Sequence, residues 1–253
     1  TVQDAEIFIE AVGDVDFFGG ASTRSYAQLG HGGDYVYGNT NGDIAVNADA
    51  LNFTAGSGEN SAARLGHGGA ETSGNHFGGI RIVAMSDVTF TADGAHSFAH
   101  LGHGGVASLG NHSGDITIFS VNDLGFDGGS GTTNSYAHFG HGGASSDGTH
   151  SGNIAIVDAN DIRFAAGDGA DDAYALLGHG GISGDGDRTG QIQITTANDV
   201  DFIGGSGVNA FSQLGHNGSE ATGDYSGFIT IVSAENLNFT GGDNLLAYAQ
   251  LGH

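Results

Sequence analysis

The chain contains no cysteine, no proline, no tryptophan and no lysine, and five arginines are its only cations against 29 aspartates and glutamates. Without cysteine there is no disulfide framework and no thiolate metal site. The arginines (Arg24, Arg64, Arg81, Arg163, Arg188) are scattered, and the formal net charge is −24. Binding a phosphate backbone needs clustered cations, so nucleic acid is excluded as a partner. An anionic membrane surface is disfavoured for the same reason. Such acidity suits a soluble, self-repelling surface exposed to salt or divalent cations. No apolar run approaches the roughly 20 residues that span a bilayer, so no membrane insertion is expected. The opening TVQDAEIFIE has no secretory pattern; a secretion address, if there is one, lies outside this window. Glycine, by contrast, supplies 49 residues. Abundant glycine without proline is not the composition of a disordered linker, and it fits a backbone whose N–H groups are needed in sheet ladders.

The segment LGHGG at 29–33 returns in close copies throughout, and its histidines stand at 31, 67, 103, 141, 179, 216 and 253, in steps of 36, 36, 38, 38, 37 and 37 residues. This is a repeat protein. Each unit carries three short apolar runs of period two, rich in β-branched and aromatic residues, which read as strands. The first gives pairs such as Ile44/Val46, Ile116/Ile118 and Ile192/Ile194. The second ends in Phe17, Phe53, Phe90, Phe126, Phe164, Phe202 and Phe239, a core phenylalanine ladder. The third carries Leu29, Leu65, Leu101, Phe139, Leu177, Leu214 and Leu251, two residues before each histidine. No helical period occurs.

Strands recurring at one place in a repeat stack parallel on their copies, which predicts an all-β parallel β-helix, a β-solenoid, forming a single domain over 1–253. The stretch containing GHGGASSDGTHSG offers no second apolar strand, so the expectation is one three-sided coil of about 37 residues per repeat, seven coils in all, rising about 33 Å; two coils per repeat would double the rise to roughly 65 Å. From each histidine to the next first-run isoleucine is 13 residues in all six cases. Ordinary loops vary in length, so that stretch reads as a built wall.

Four features are candidates for chemistry. The histidine ladder (His31, His67, His103, His141, His179, His216, His253) is either a row of metal ligands or a packed structural row, its rings bonded to backbone or to one another and flanked by glycine where coils approach. Absence of thiolates and of a carboxylate accompanying each ring favours the structural reading. The acidic turn row, chiefly Asp87, Asp123, Asp161 and Asp199, would hold Ca²⁺ or cap its own turns; GGISGDGD at 180–187 has the flavour of a calcium loop but occurs once. Tyr26, Phe98, Tyr136, Tyr174, Phe211 and Tyr248 lie on the strand face opposite the leucines. They form either an outward aromatic row, a lateral interface or glycan platform, or a row buried by the glycine-rich wall. A catalytic site would break the repeat locally, and nothing singles one out, so no enzyme is expected and no catalytic residue is assigned.

With its Ile/Val/Phe/Leu ladders, AND turns, GG corners and the phrase SYAQLGHGG, the chain resembles the large repetitive bacterial surface proteins of the filamentous haemagglutinin and adhesin type. The resemblance implies a right-handed parallel β-helix, secreted, serving as an elongated shaft in adhesion or extracellular matrix, with no catalytic residues to transfer. Neither end carries a cap by sequence, which predicts an uncapped window of a longer chain or a subunit self-associating end to end or laterally into a fibre. The function expected is a structural shaft of an extracellular filament, matrix fibre or giant bacterial surface adhesin; the alternative is a repeat module binding glycans or a divalent cation.

Overall fold

The structure, a computed structural model, describes residues 3–129, 133–169 and 171–253. It is all-β, with no helix among the described residues. One coil consists of the strands Thr40–Asn41, Ile44–Ala48, Leu51–Thr54 and Ala62–Leu65. Each strand pairs in parallel with its equivalent one repeat away: Ile44 with Ile80, Phe53 with Phe90, Leu65 with Leu101. One repeat is therefore one coil, and two coils per repeat are excluded, because that arrangement would pair the two halves of a repeat. Seven such coils stack into the solenoid.

The three faces of the coil differ from the three apolar runs. The isoleucine and phenylalanine runs share one eleven-stranded sheet, and in the last three coils they fuse into single strands, Ile154–Ala165, Ile192–Ile203 and Ile229–Thr240. Two-residue strands such as Thr40–Asn41 and His150–Ser151 build another face inside the glycine-rich stretch. They carry one polar inward residue each, so no apolar period announces them. The second coil has one residue fewer between Ile44 and Phe53 than its neighbours have at that place. Val12 and Met85, on the coils either side, are fully exposed and 83% exposed, and the Met85 N–H reaches both Ala48 and Asp49 carbonyls. The extra residue is pushed outward, as in a β-bulge.

Alternation places Ile44, Val46, Leu51, Phe53 and Leu65 inside with no exposure. The phenylalanine ladder is continuous: seven rings stack at centroid spacings of 4.7–5.0 Å. Burying each such side chain contributes about 1.5–3 kcal/mol, and the contribution repeats with every coil. The strand Ala62–Leu65 has both faces covered, because the wall after the histidine folds back over its outer side. That proximity explains the glycine before each ladder histidine. At Gly66, φ is +145° and a β-carbon would overlap the Gly102 carbonyl of the next coil.

Candidate functional site

The seven ladder histidines form a spine along the solenoid, with ring centroids 4.7–5.0 Å apart and planes within 9° of parallel. Every ring is bonded at both nitrogens in the interior of the stack. The backbone N–H of His103 donates to Nδ1 of His141 at 3.0 Å, and the same bond joins each ladder histidine to the next. Nε2 of His141 lies 2.8 Å from the Gly114 carbonyl across its own coil, and its equivalents meet Gly42, Gly78, Gly152 and Gly190. A backbone N–H only donates and a carbonyl only accepts. Each interior ring is therefore neutral, with its proton on Nε2 and its Nδ1 lone pair taken.

Electrostatics agrees with that geometry. Burial, reinforced by neighbouring imidazoles, holds His103, His141 and His179 well below the ordinary histidine range and His216 at about 4. Metal ligation through these rings would require breaking the axial or the transverse bond, so this spine does not fit a metal centre. Among the described residues no group of three or more His, Asp and Glu is arranged to hold a metal ion.

Two further buried columns flank the spine. His76, His112 and His150 stack at 4.7–5.0 Å on the two-residue strands, nine residues after the ladder histidines of those repeats. Thr40 precedes them in the column and Arg188 follows. Gln28, Arg64, His100, His138 and Gln213 form the other column. His100 and His138 reach the carbonyls of Gly140 and Gly178, the glycines preceding the next ladder histidine, at 2.7 Å, and Gln28 and Gln213 bond Gly66 and Gly252 in the same way. Sequence reasoning passed over both columns. The signal was a histidine at the ninth position after the motif in three repeats.

No family model, curated protein or solved structure matches this chain. Its chemistry is therefore read from its own side chains. Ser146 Oγ lies 3.2 Å from Nε2 of His150, a contact that resembles a nucleophile with its base. Both residues are fully buried, so no substrate reaches them in this conformation.

The aromatic row requires a correction. Tyr26, Phe98, Tyr136, Tyr174, Phe211 and Tyr248 do lie opposite the leucines, but they are not an outward row. Phe98, Tyr136, Tyr174 and Phe211 are at most 2% exposed; only Tyr26 and Tyr248, on the end coils, retain exposure. The wall lays Ala70, Val106, Ala144 and Ile182 over them to make a second apolar core. Burial removes the ring faces that an interface or a glycan would need.

The scattered arginines include two buried ones. Arg64 is paired with Asp34 at 2.7 Å and lies over the Tyr26 ring. Arg188 donates to the carbonyls of Gly148, Asp187, Ser146 and Asp185. In the loop that has the flavour of a calcium site, a guanidinium therefore takes the cation's place.

Asp87, Asp123, Asp161 and Asp199 act as rungs between coils. Oδ1 of Asp87 accepts from Asn122 Nδ2 and the Asp123 N–H, and Asp123 and Asp199 accept from Asn160 and Asn236. A calcium chelator is accordingly expected to shift the melting temperature by less than about 1 °C, measured by calorimetry before and after dialysis. A fall of several degrees would place Ca²⁺ on this row.

The glycines after the histidine provide a second check. At Gly142, φ is +100° and a β-carbon would sit 2.5 Å from Nδ1 of His150. Gly142→Ala is expected to lose about 2–4 kcal/mol through overlap and backbone strain. Gly32 has φ +97° and no such ring beside it, because Thr40 occupies that place, so Gly32→Ala should lose clearly less. Equal losses in urea titrations would show that the overlap with His150 is immaterial.

Proposed function

We propose that this chain is a structural shaft, part of an extracellular filament, matrix fibre or giant bacterial surface adhesin, and that it acts by self-association rather than catalysis. The observation that supports this reading is the uniformity of the spine: one backbone-to-imidazole bond and one stacked ring per coil, repeated with no coil modified into a site. A binding or catalytic centre requires a unique constellation, whereas a shaft requires every segment to resist bending and pulling alike. The exposed surface carries most of the −24 charge, which keeps neighbouring shafts apart in water. No helix among the described residues is long and apolar enough to cross a membrane.

Electron microscopy of the native assembly tests the proposal. Long thin filaments, in which this chain accounts for about 33 Å of axial length, support it. A compact particle no longer than the seven coils themselves defeats it.

A further inference from the structure

A longitudinal groove of about 300 Å³ lies between two corners of the coil, outside the spine and both flanking columns. One rim is a ladder of corner residues in the left-handed region, including Asn134, Asp172 and Asn209, and the other presents Ser145 and Ser183. Ala144 and Ile182 line its floor. Two polar atoms of its lining have no hydrogen-bond partner among the described residues: the hydroxyl of Tyr136, whose side chain is 1% exposed, and Oδ1 of Asn209, on a residue 8% exposed. Leaving such groups unpaired is unfavourable, and a ligand rich in hydroxyl groups would satisfy them.

We infer that this groove binds a linear, uncharged polysaccharide chain laid along the solenoid axis. Amide and hydroxyl side chains recur on the rims with the coil spacing of about 4.8 Å, close to the advance of one sugar in an extended β-linked hexose chain, so successive sugars meet successive rungs. The apolar floor suits the C–H faces of the sugars. Asp172 and Glu220 line the groove and no lysine or arginine does, so a uronate or sulfated chain is repelled. An extended peptide would need free backbone groups to add as a strand. Here the corner N–H groups are already paired along the axis, Asn134 to Asp171, Asp172 to Val208, Ser145 to Ile182 and Ser183 to Ser219.

The test is calorimetric titration of the intact chain with neutral β-1,4-linked gluco-oligosaccharides of two to seven sugars, beside β-1,3-linked and oligogalacturonate ladders and a neutral extended peptide. Affinity is expected to rise with each added sugar in a neutral ladder, and to fall about tenfold or more in two variants. Ala144→Trp fills the floor. The double variant Asn134→Gly/Ser145→Gly removes rim groups while keeping the left-handed backbone, since φ is 50° and 53° at these positions; a melting curve checks that each variant folds. Several outcomes overturn the inference: no neutral ladder binding at millimolar concentration, binding unchanged in the folded double variant, or tighter binding of the charged ladder or of the peptide.

Discussion

Acidification from pH 8 to pH 4 is expected to unfold the solenoid. The buried imidazoles bind protons less readily when folded than when unfolded, where their value is about 6.5. Stability from these groups is thus fully present above that value and is lost as pH falls through it toward their folded values. His76, His138 and His216 are held at about 4, chiefly by burial. At pH 5 each costs roughly 2 kcal/mol relative to pH 8, together about 6, which is comparable with the whole stability of an ordinary domain, about 5–15 kcal/mol. His100, His103, His112, His141, His150 and His179 lie lower still, for the same reason. The acidic surface works the other way, since protonating carboxylates relieves repulsion at the lowest pH. Proton uptake separates the two. Unfolding at pH 5.5, measured by calorimetry in two buffers of different ionisation heat, should take up on the order of five to ten protons. Uptake below one, or coincident melts at pH 8 and pH 5, would mean that the imidazoles are not held neutral.

Replacing His141 by alanine should be the most damaging truncation along the spine. It removes the acceptor of the His103 N–H and the donor to the Gly114 carbonyl, orphaning two buried backbone groups at about 1–3 kcal/mol each, and it opens a gap between two stacked rings. A loss of about 3–5 kcal/mol is expected. His31→Ala is the control, because its half-buried ring accepts no N–H bond from a preceding coil and loses only the contact to Ala5 and one stacking partner. Its cost should be a fraction of that at His141. Urea midpoints at pH 8 compare the two. Equal losses would mean that the ring's hydrogen bonds contribute nothing and that only its volume matters.

The ladders that build the main core were legible because identical apolar residues recur at constant offsets: Ile44 to Ile80, Phe53 to Phe90 and Leu65 to Leu101 are adjacent both in the repeat and in space. The second core was not, because its outer layer is single residues, Ala70, Val106, Ala144 and Ile182, set in glycine-rich chain with no period. Strand alternation correctly turned Tyr136 away from Leu-bearing positions but says nothing about what lies over it. The spine's chemistry was half legible. Glycine beside histidine signals close backbone approach, whereas the choice of tautomer depends on which backbone group meets each nitrogen. His112 and Arg188 were hidden for another reason: polar residues in a two-residue strand look like loop until register places them in one column.

The bond from each ladder N–H to the following imidazole also gives the shaft a sense. All run the same way, from lower to higher residue number. Any cross-section through the stack therefore presents an imidazole lone pair on one side and an amide hydrogen on the other, and like faces cannot join. Elongation along this axis is vectorial: a new coil docks in one orientation only, and a reversed one meets donor with donor.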